Sequence, residues 1–132
     1  MILVDTSILI QFLGGENDSG VATLVKLIEG NQPFGFSAYT FTEVLQGARD
    51  DEELRTLNRY LGSQVIYYPD AGLDTFKQAA SIYYSLRKEG ITLRGLVDIL
   101  IALTAIHNNL LLLHNDRDFE FIQRVDSRLK TV

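Results

Sequence analysis

Short unbroken apolar runs alternate along this chain with longer stretches whose apolar residues recur at helical spacing. Ile2 to Val4 is such a run, and Thr6 to Leu13 then places Ile8, Leu9, Phe12 and Leu13 along a helix that Gly14 and Gly15 stop. The pair predicts a strand leading straight into a helix. Val21 to Ile28 predicts a second amphipathic helix, closed at Gly30. Phe34 to Ser37 predicts a strand after Pro33, followed by a helix from Ala38 to Ala48. Asp50 to Leu61 is highly charged but lines Leu54, Leu57 and Leu61 along one helical face, and Val65 to Tyr68 reads as the next strand. A long helix over Asp70 to Lys88 offers an apolar face of Leu73, Phe76, Ala79, Ala80, Tyr83 and Tyr84, ending near Gly90. A strongly apolar helix through Leu96 to Leu103 follows. Then come a strand over Leu110 to Leu113, a short helix over Asp116 to Val125 and a last strand within Arg128 to Val132. Strands alternating with helices in this way predict an α/β fold with a mainly parallel sheet covered on both faces.

One residue breaks the pattern. Asp98 stands in the run LVDILIAL, where Val97, Ile99, Leu100 and Ile101 predict burial on nearly every side. A buried carboxylate is costly unless it is paired or bound. Ala102 and Ala105 share its helical face and would let another backbone come close to the same seam. Company for Asp98 must come from elsewhere in the chain. Ligands of open parallel sheets bind beyond the carboxyl ends of the strands, and Asp5 and Asp116 both follow such ends. Glu43, early in the helix after Phe34 to Ser37, can lean over the same edge. Each of these acids also has a plain structural use. Asp5 and Asp116 can cap helices, Glu43 can close a T-x-x-E capping box with Thr40, and Asp118 suits the positive end of a helix dipole. Four gathered carboxylates raise each other's pKa. A hard divalent cation, Mg2+ or Mn2+, removes that objection because it selects oxygen ligands.

Composition narrows the field. With 132 residues, 46% of them hydrophobic and 22% charged, residues 1–132 fit one globular domain. The absence of cysteine excludes disulfides and thiolate metal sites and points to a reducing cytoplasm. His107 and His114 both adjoin apolar segments and read as structural, so zinc has little support. MILVDT lacks the basic start of a signal peptide. The apolar stretch Leu96 to Leu113 is interrupted by Asp98, His107, Asn108 and Asn109, so no membrane span is expected. A net charge of -5 argues against gripping long duplex nucleic acid by electrostatics. A nuclease stays open, since carboxylates around a cation lower the net charge by themselves.

Val4-Asp5-Thr6-Ser7, the T-x-x-E of Thr40 to Glu43, the D-x-x-I-A of Asp98 to Ala102 and the N-D-R-D-F of Asn115 to Phe119 occur in an order and spacing that span nearly the whole chain. In these motifs the chain resembles the PIN-domain family, in particular VapC-type toxins of toxin-antitoxin pairs. The resemblance implies a three-layer fold with a central sheet of four to five strands. It also implies a Mg2+- or Mn2+-dependent endoribonuclease leaving a 5′-phosphate and a 3′-hydroxyl. By that carry-over Asp5 and Asp98 are the foremost metal ligands, Asp116 completes the site directly or through water, and Glu43 orients or deprotonates the attacking water. Ser7 would support the metal site through its hydroxyl, and Asp118 would stand behind it. His114 departs from the family, where Thr or Ser commonly precedes the N-D. Relatives of this kind bind a small antitoxin whose C-terminal segment covers the site, and they commonly form homodimers.

Arg94, one turn before Asp98, and Arg117, between two acids, are candidates for RNA phosphate contacts; balancing local acid is their alternative use. Two rival classes remain. A phosphatase with Asp5 as nucleophile would want a nearby lysine, yet none lies between Ile91 and Arg128. A non-catalytic PIN-like scaffold would have no need of all four acids.

Overall fold

The computed structural model describes residues 1–132. Its elements run β1 (Ile2–Val4), α1 (Thr6–Leu13), α2 (Ser19–Glu29), β2 (Phe34–Ser37), α3 (Ala38–Gln46), α4 (Asp51–Gly62), β3 (Ile66–Tyr67), α5 (Leu73–Lys88), α6 (Val97–His107), β4 (Leu111–Leu113), α7 (Arg117–Val125) and β5 (Lys130–Thr131). The five strands form one sheet in the order β3-β2-β1-β4-β5, every neighbouring pair parallel. The expected α/β architecture is therefore the observed one, with five strands.

Alternation along the strands assigns the two faces. Leu3 pairs with Leu112 and Val4 with Leu113, so side chains one position apart enter opposite cores. Leu3 and Leu112 pack with Ile82, Leu86, Ile99, Leu103, Phe119 and Ile122 under α5, α6 and α7. Val4, Leu113 and Phe36 pack with Ile8, Leu9, Leu24, Val44 and Leu61 under α1 to α4. Helix α6 is buried continuously from Ile99 to Ala105, which explains its lack of a polar face. It contacts α3, α5, α7 and β4. No helix is long and apolar enough to cross a membrane.

The long helix corrects the expected apolar face. Leu73, Phe76, Ala80 and Tyr84 of α5 are exposed, and Tyr83 is half-buried; the inward face is Thr75, Ala79, Ile82 and Leu86. Both stripes are largely apolar, so periodicity alone could not choose between them. The helix also begins later than its pattern, because Gly72 takes a φ of 109° that ends the preceding turn. Only Leu61 of the expected α4 face is fully buried, while Leu54 is exposed. Strand β3 is shorter than Val65 to Tyr68, whose outer residues are exposed.

Candidate metal and active site

β1 ends at Val4 beside the end of β4 at Leu113, and the Asp5 N–H continues the ladder by donating to the Leu113 carbonyl at 2.9 Å. From β1 the chain goes to β2 and β3 on one side, then crosses to β4 and β5 on the other. The carboxyl edge between β1 and β4 is thus the switch point where a crevice opens in such sheets. Asp5 and Asp116 leave the sheet there.

Asp5 caps α1. Its Oδ2 accepts hydrogen bonds from the Ser7 hydroxyl at 2.6 Å and the Ser7 N–H at 3.2 Å. The residue is only 2% exposed, and its other oxygen, Oδ1, is buried with no partner. Burial pushes its carboxyl above the ordinary 3.8, and the Ser7 hydrogen bonds oppose that shift. A buried carboxylate oxygen with no donor is rare enough to require an explanation.

Asp116 caps α7, its Oδ1 accepting from the Asp118 N–H at 2.9 Å. Asp118 sits in the first turn of that helix. Asp98 is in the first turn of α6 and is half-buried, with Leu96 and Val97 beside it exposed. The expectation of burial on nearly every side is corrected accordingly: the helix starts immediately before Asp98, so its first turn faces the crevice rather than the core. One oxygen from each of Asp98, Asp116 and Asp118 lies within 4.8 Å of the others. Desolvation, followed by the charges of Asp5, Asp116, Asp118 and Glu43, raises the Asp98 carboxyl to about 6. Asp118 is one of this close group, whereas Asp5 and Glu43 stand outside it, near enough for their charges to act on Asp98.

Glu43 faces Asp98 across a cleft of about 330 Å³ that Arg94, Gly95 and Val97 also line. Its Oε1 accepts from the Thr6 hydroxyl at 2.7 Å. The expected capping box with Thr40 does not form. Ser37 is the cap of α3, accepting from the Thr40 N–H at 3.0 Å, and Thr40 lies inside the helix with its hydroxyl turned to Thr6. Arg94 is exposed, with Nη2 3.5 Å from Asp116 Oδ2, whereas Arg117 is exposed and pairs with no acid. His114 stacks at 5.0 Å on Phe119 and accepts from the Asp116 N–H at 3.2 Å. At this position the ring of His114 holds the backbone of an acid. His107 is structural, its Nδ1 accepting from the Asp70 N–H at 2.9 Å.

The family model of the PIN domain matches residues 2–125. The chain belongs to the PIN-domain family. Among curated PIN-domain relatives, ribonuclease VapC11 of Mycobacterium tuberculosis is 32% identical over 126 residues, covering 95% of this chain and 93% of the relative. VapBC-1 of nontypeable Haemophilus influenzae shares the fold with a TM-score of 0.72 at 24% identity, covering 100% of this chain and 97% of the other. A toxin-antitoxin complex from Klebsiella pneumoniae does so with a TM-score of 0.63 at 21% identity, covering 99% and 97%.

The donor set of this PIN domain suits a hard cation. It consists of the carboxylate oxygens of Asp98, Asp116 and Asp118, the first of which resists ionising alone, and Asp5 nearby carries a buried oxygen that nothing bonds.

Proposed function

We propose that this chain is a Mg2+- or Mn2+-dependent endoribonuclease that hydrolyses RNA phosphodiester bonds with water, acting in the cytoplasm as the toxin of a toxin-antitoxin pair. The observation that carries this reading is the gathering of Asp98, Asp116 and Asp118 within 4.8 Å of one another, with Glu43 lining the same cleft as Asp98 and Asp5 Oδ1 buried and unbonded. The curated relative named a ribonuclease and the solved toxin-antitoxin complex support it.

Asp98, Asp116, Asp118 and Asp5 would hold the cation. When bound, it supplies positive charge to the phosphoryl oxygens and acidifies water. Ser7 keeps Asp5 Oδ2 occupied and leaves Oδ1 as the oxygen free for a cation. Glu43 orients the attacking water or takes its proton, and Arg94 on the rim meets a phosphate of the RNA. Water attack on phosphorus breaks the bond to the 3′-oxygen, leaving a 5′-phosphate and a 3′-hydroxyl.

An acidic crevice suits a basic partner segment, so a small antitoxin that lays an Arg or Lys over these acids is the proposed partner. A second copy is the proposed occupant of the exposed α5 stripe. Phe76 and Tyr84 lie symmetrically about Ala80, so an antiparallel copy brings each against the other, with Asp74 near the partner copy's cationic helix end.

The test is cleavage of RNA by the purified chain in Mg2+, Mn2+ or chelator, with the new 5′ ends sequenced, beside Asp98→Asn. Cleavage in cation only, lost in the variant, is expected. Equal cleavage by both proteins overturns the assignment.

A further inference from the structure

Three buried hydroxyls behind Glu43 take no part in the chemistry above. Ser37 and Thr40 are fully buried and Thr6 nearly so. Ser37 Oγ lies 3.1 Å from Thr40 Oγ1, Thr40 Oγ1 3.0 Å from Thr6 Oγ1, and Thr6 Oγ1 2.7 Å from Glu43 Oε1. The Thr40 N–H donates to Ser37 Oγ at 3.0 Å.

Proton counting orders this chain. A hydroxyl has one hydrogen to give, and a carboxylate oxygen only accepts, so the Thr6 hydrogen goes to Glu43. The contact between Thr6 and Thr40 must then be donated by Thr40. Thr40 Oγ1, its hydrogen committed, accepts from Ser37. Ser37 Oγ is free to donate because the backbone N–H of Thr40 supplies its own incoming bond. Every bond points the same way, from an N–H at the start of α3 to the carboxylate of the same helix. Such chains polarise cooperatively, each bond strengthening the next.

We infer that Ser37, Thr40 and Thr6 form a one-way hydrogen-bond relay that positions Glu43, fixing Oε1 so that Oε2, which no protein group bonds, is the oxygen offered to the cleft. Thr40 and Thr6 are therefore positioning residues for the reaction. This assignment rests on the proposed ribonuclease reading for its consequence in turnover, and on geometry alone for the relay itself. The relay also accounts for a hydroxyl, not an apolar residue, at each of three positions where the surroundings are core: Val44 and Phe36 lie alongside.

Thr40→Val removes the hydroxyl at nearly constant volume, and Thr40→Ser restores it. Outer partners that orient active-site groups typically contribute about 10- to 100-fold. Thr40→Val is therefore expected to lower kcat by about that factor with KM unchanged, Thr40→Ser to recover most of it, and Thr40→Val to add nothing in a Glu43→Gln background. A loss of similar size in the Glu43→Gln background, or no loss in the single variant, overturns the inference. A measurement independent of turnover accompanies it. The 13Cδ resonance of Glu43 should move in Thr40→Val and stay near its wild-type position in Thr40→Ser. An unmoved resonance in Thr40→Val overturns the relay. A wild-type chain that cuts no RNA while the resonance moves as expected defeats the ribonuclease reading and leaves the relay standing.

Discussion

Asp98 is held where its own ionisation is opposed, and that gives its replacement two effects of opposite sign. In chelator, Asp98→Asn removes a charge repelled by Asp5, Asp116, Asp118 and Glu43, so its melting temperature should exceed that of the wild type. In Mg2+ or Mn2+ the order should reverse, since the variant loses the ligand and the stabilisation that cation binding brings; RNA cleavage should fall at least about 100-fold. Calorimetric melting with and without cation reads both arms. The pH dependence follows the same logic. Between the ordinary 3.8 and about 6 the folded chain keeps a proton on Asp98 that the unfolded chain has released. This group's contribution to cation-free stability therefore falls as pH rises through that window. Asp5, also raised, adds in the same direction. Melting temperatures in chelator from pH 4 to pH 7 should show the decline, and Asp98→Asn should flatten it. The aspartates of this site were legible beforehand because each sits at a strand end or helix start, where sequence pattern is informative, whereas Glu43 lies in the second turn of α3. Asp118 and the hydroxyls of Ser37 and Thr40 were harder to place. A first-turn acid has a sufficient local use, and S-x-x-T-x-x-E from Ser37 to Glu43 signals a relay only once Thr6 is known to stand beside it.

Helix α5 shows where element-level pattern fails. Its two faces differ little in hydropathy, so what covers each face is decided by α6 and α7 packing on one of them, a choice made far along the chain. The exposed stripe makes the proposed pairing of two copies testable: the wild type should run as a dimer in light scattering, and Phe76→Lys should leave melting temperature nearly unchanged and convert it to monomer. Retention of the dimer would show that the copies meet elsewhere. Strand β2 carries the opposite constraint. A Cβ on Gly35 would come within 2.6 Å of the Val65 carbonyl and 2.7 Å of the Tyr67 ring. Gly35→Ala must push β3 away from β2, an overpacking that destabilises by about 1–3 kcal/mol. Chemical denaturation should report it as a lower midpoint. The strand itself was readable from Phe34 to Ser37; the need for glycine within it was not, since that depends on the chain crossing back as β3.

At the scale of the molecule, the acids come from both layers and from the sheet between them. Glu43 stands on α3, Asp98 on α6, and Asp5 and Asp116 on the loops of two paired strands. A bound cation should therefore slow amide exchange in the first turns of α1, α6 and α7 and leave α2 and α5 as they were, as read by hydrogen exchange and mass spectrometry. Equal slowing in α2 and α5 would contradict a site confined to this edge. The alternation of elements announced the layers, but strand order could not be read in advance, because pairing between Ile2–Val4 and Leu111–Leu113 joins distant parts of the sequence. That pairing also sets a clock. During synthesis β1 and Glu43 emerge first, but β1 has no β4 beside it, and Asp5 lacks Asp98, Asp116 and Asp118, until the chain has been made past Asp118. The proposed catalytic site is thereby completed only after the last of its acids has been made.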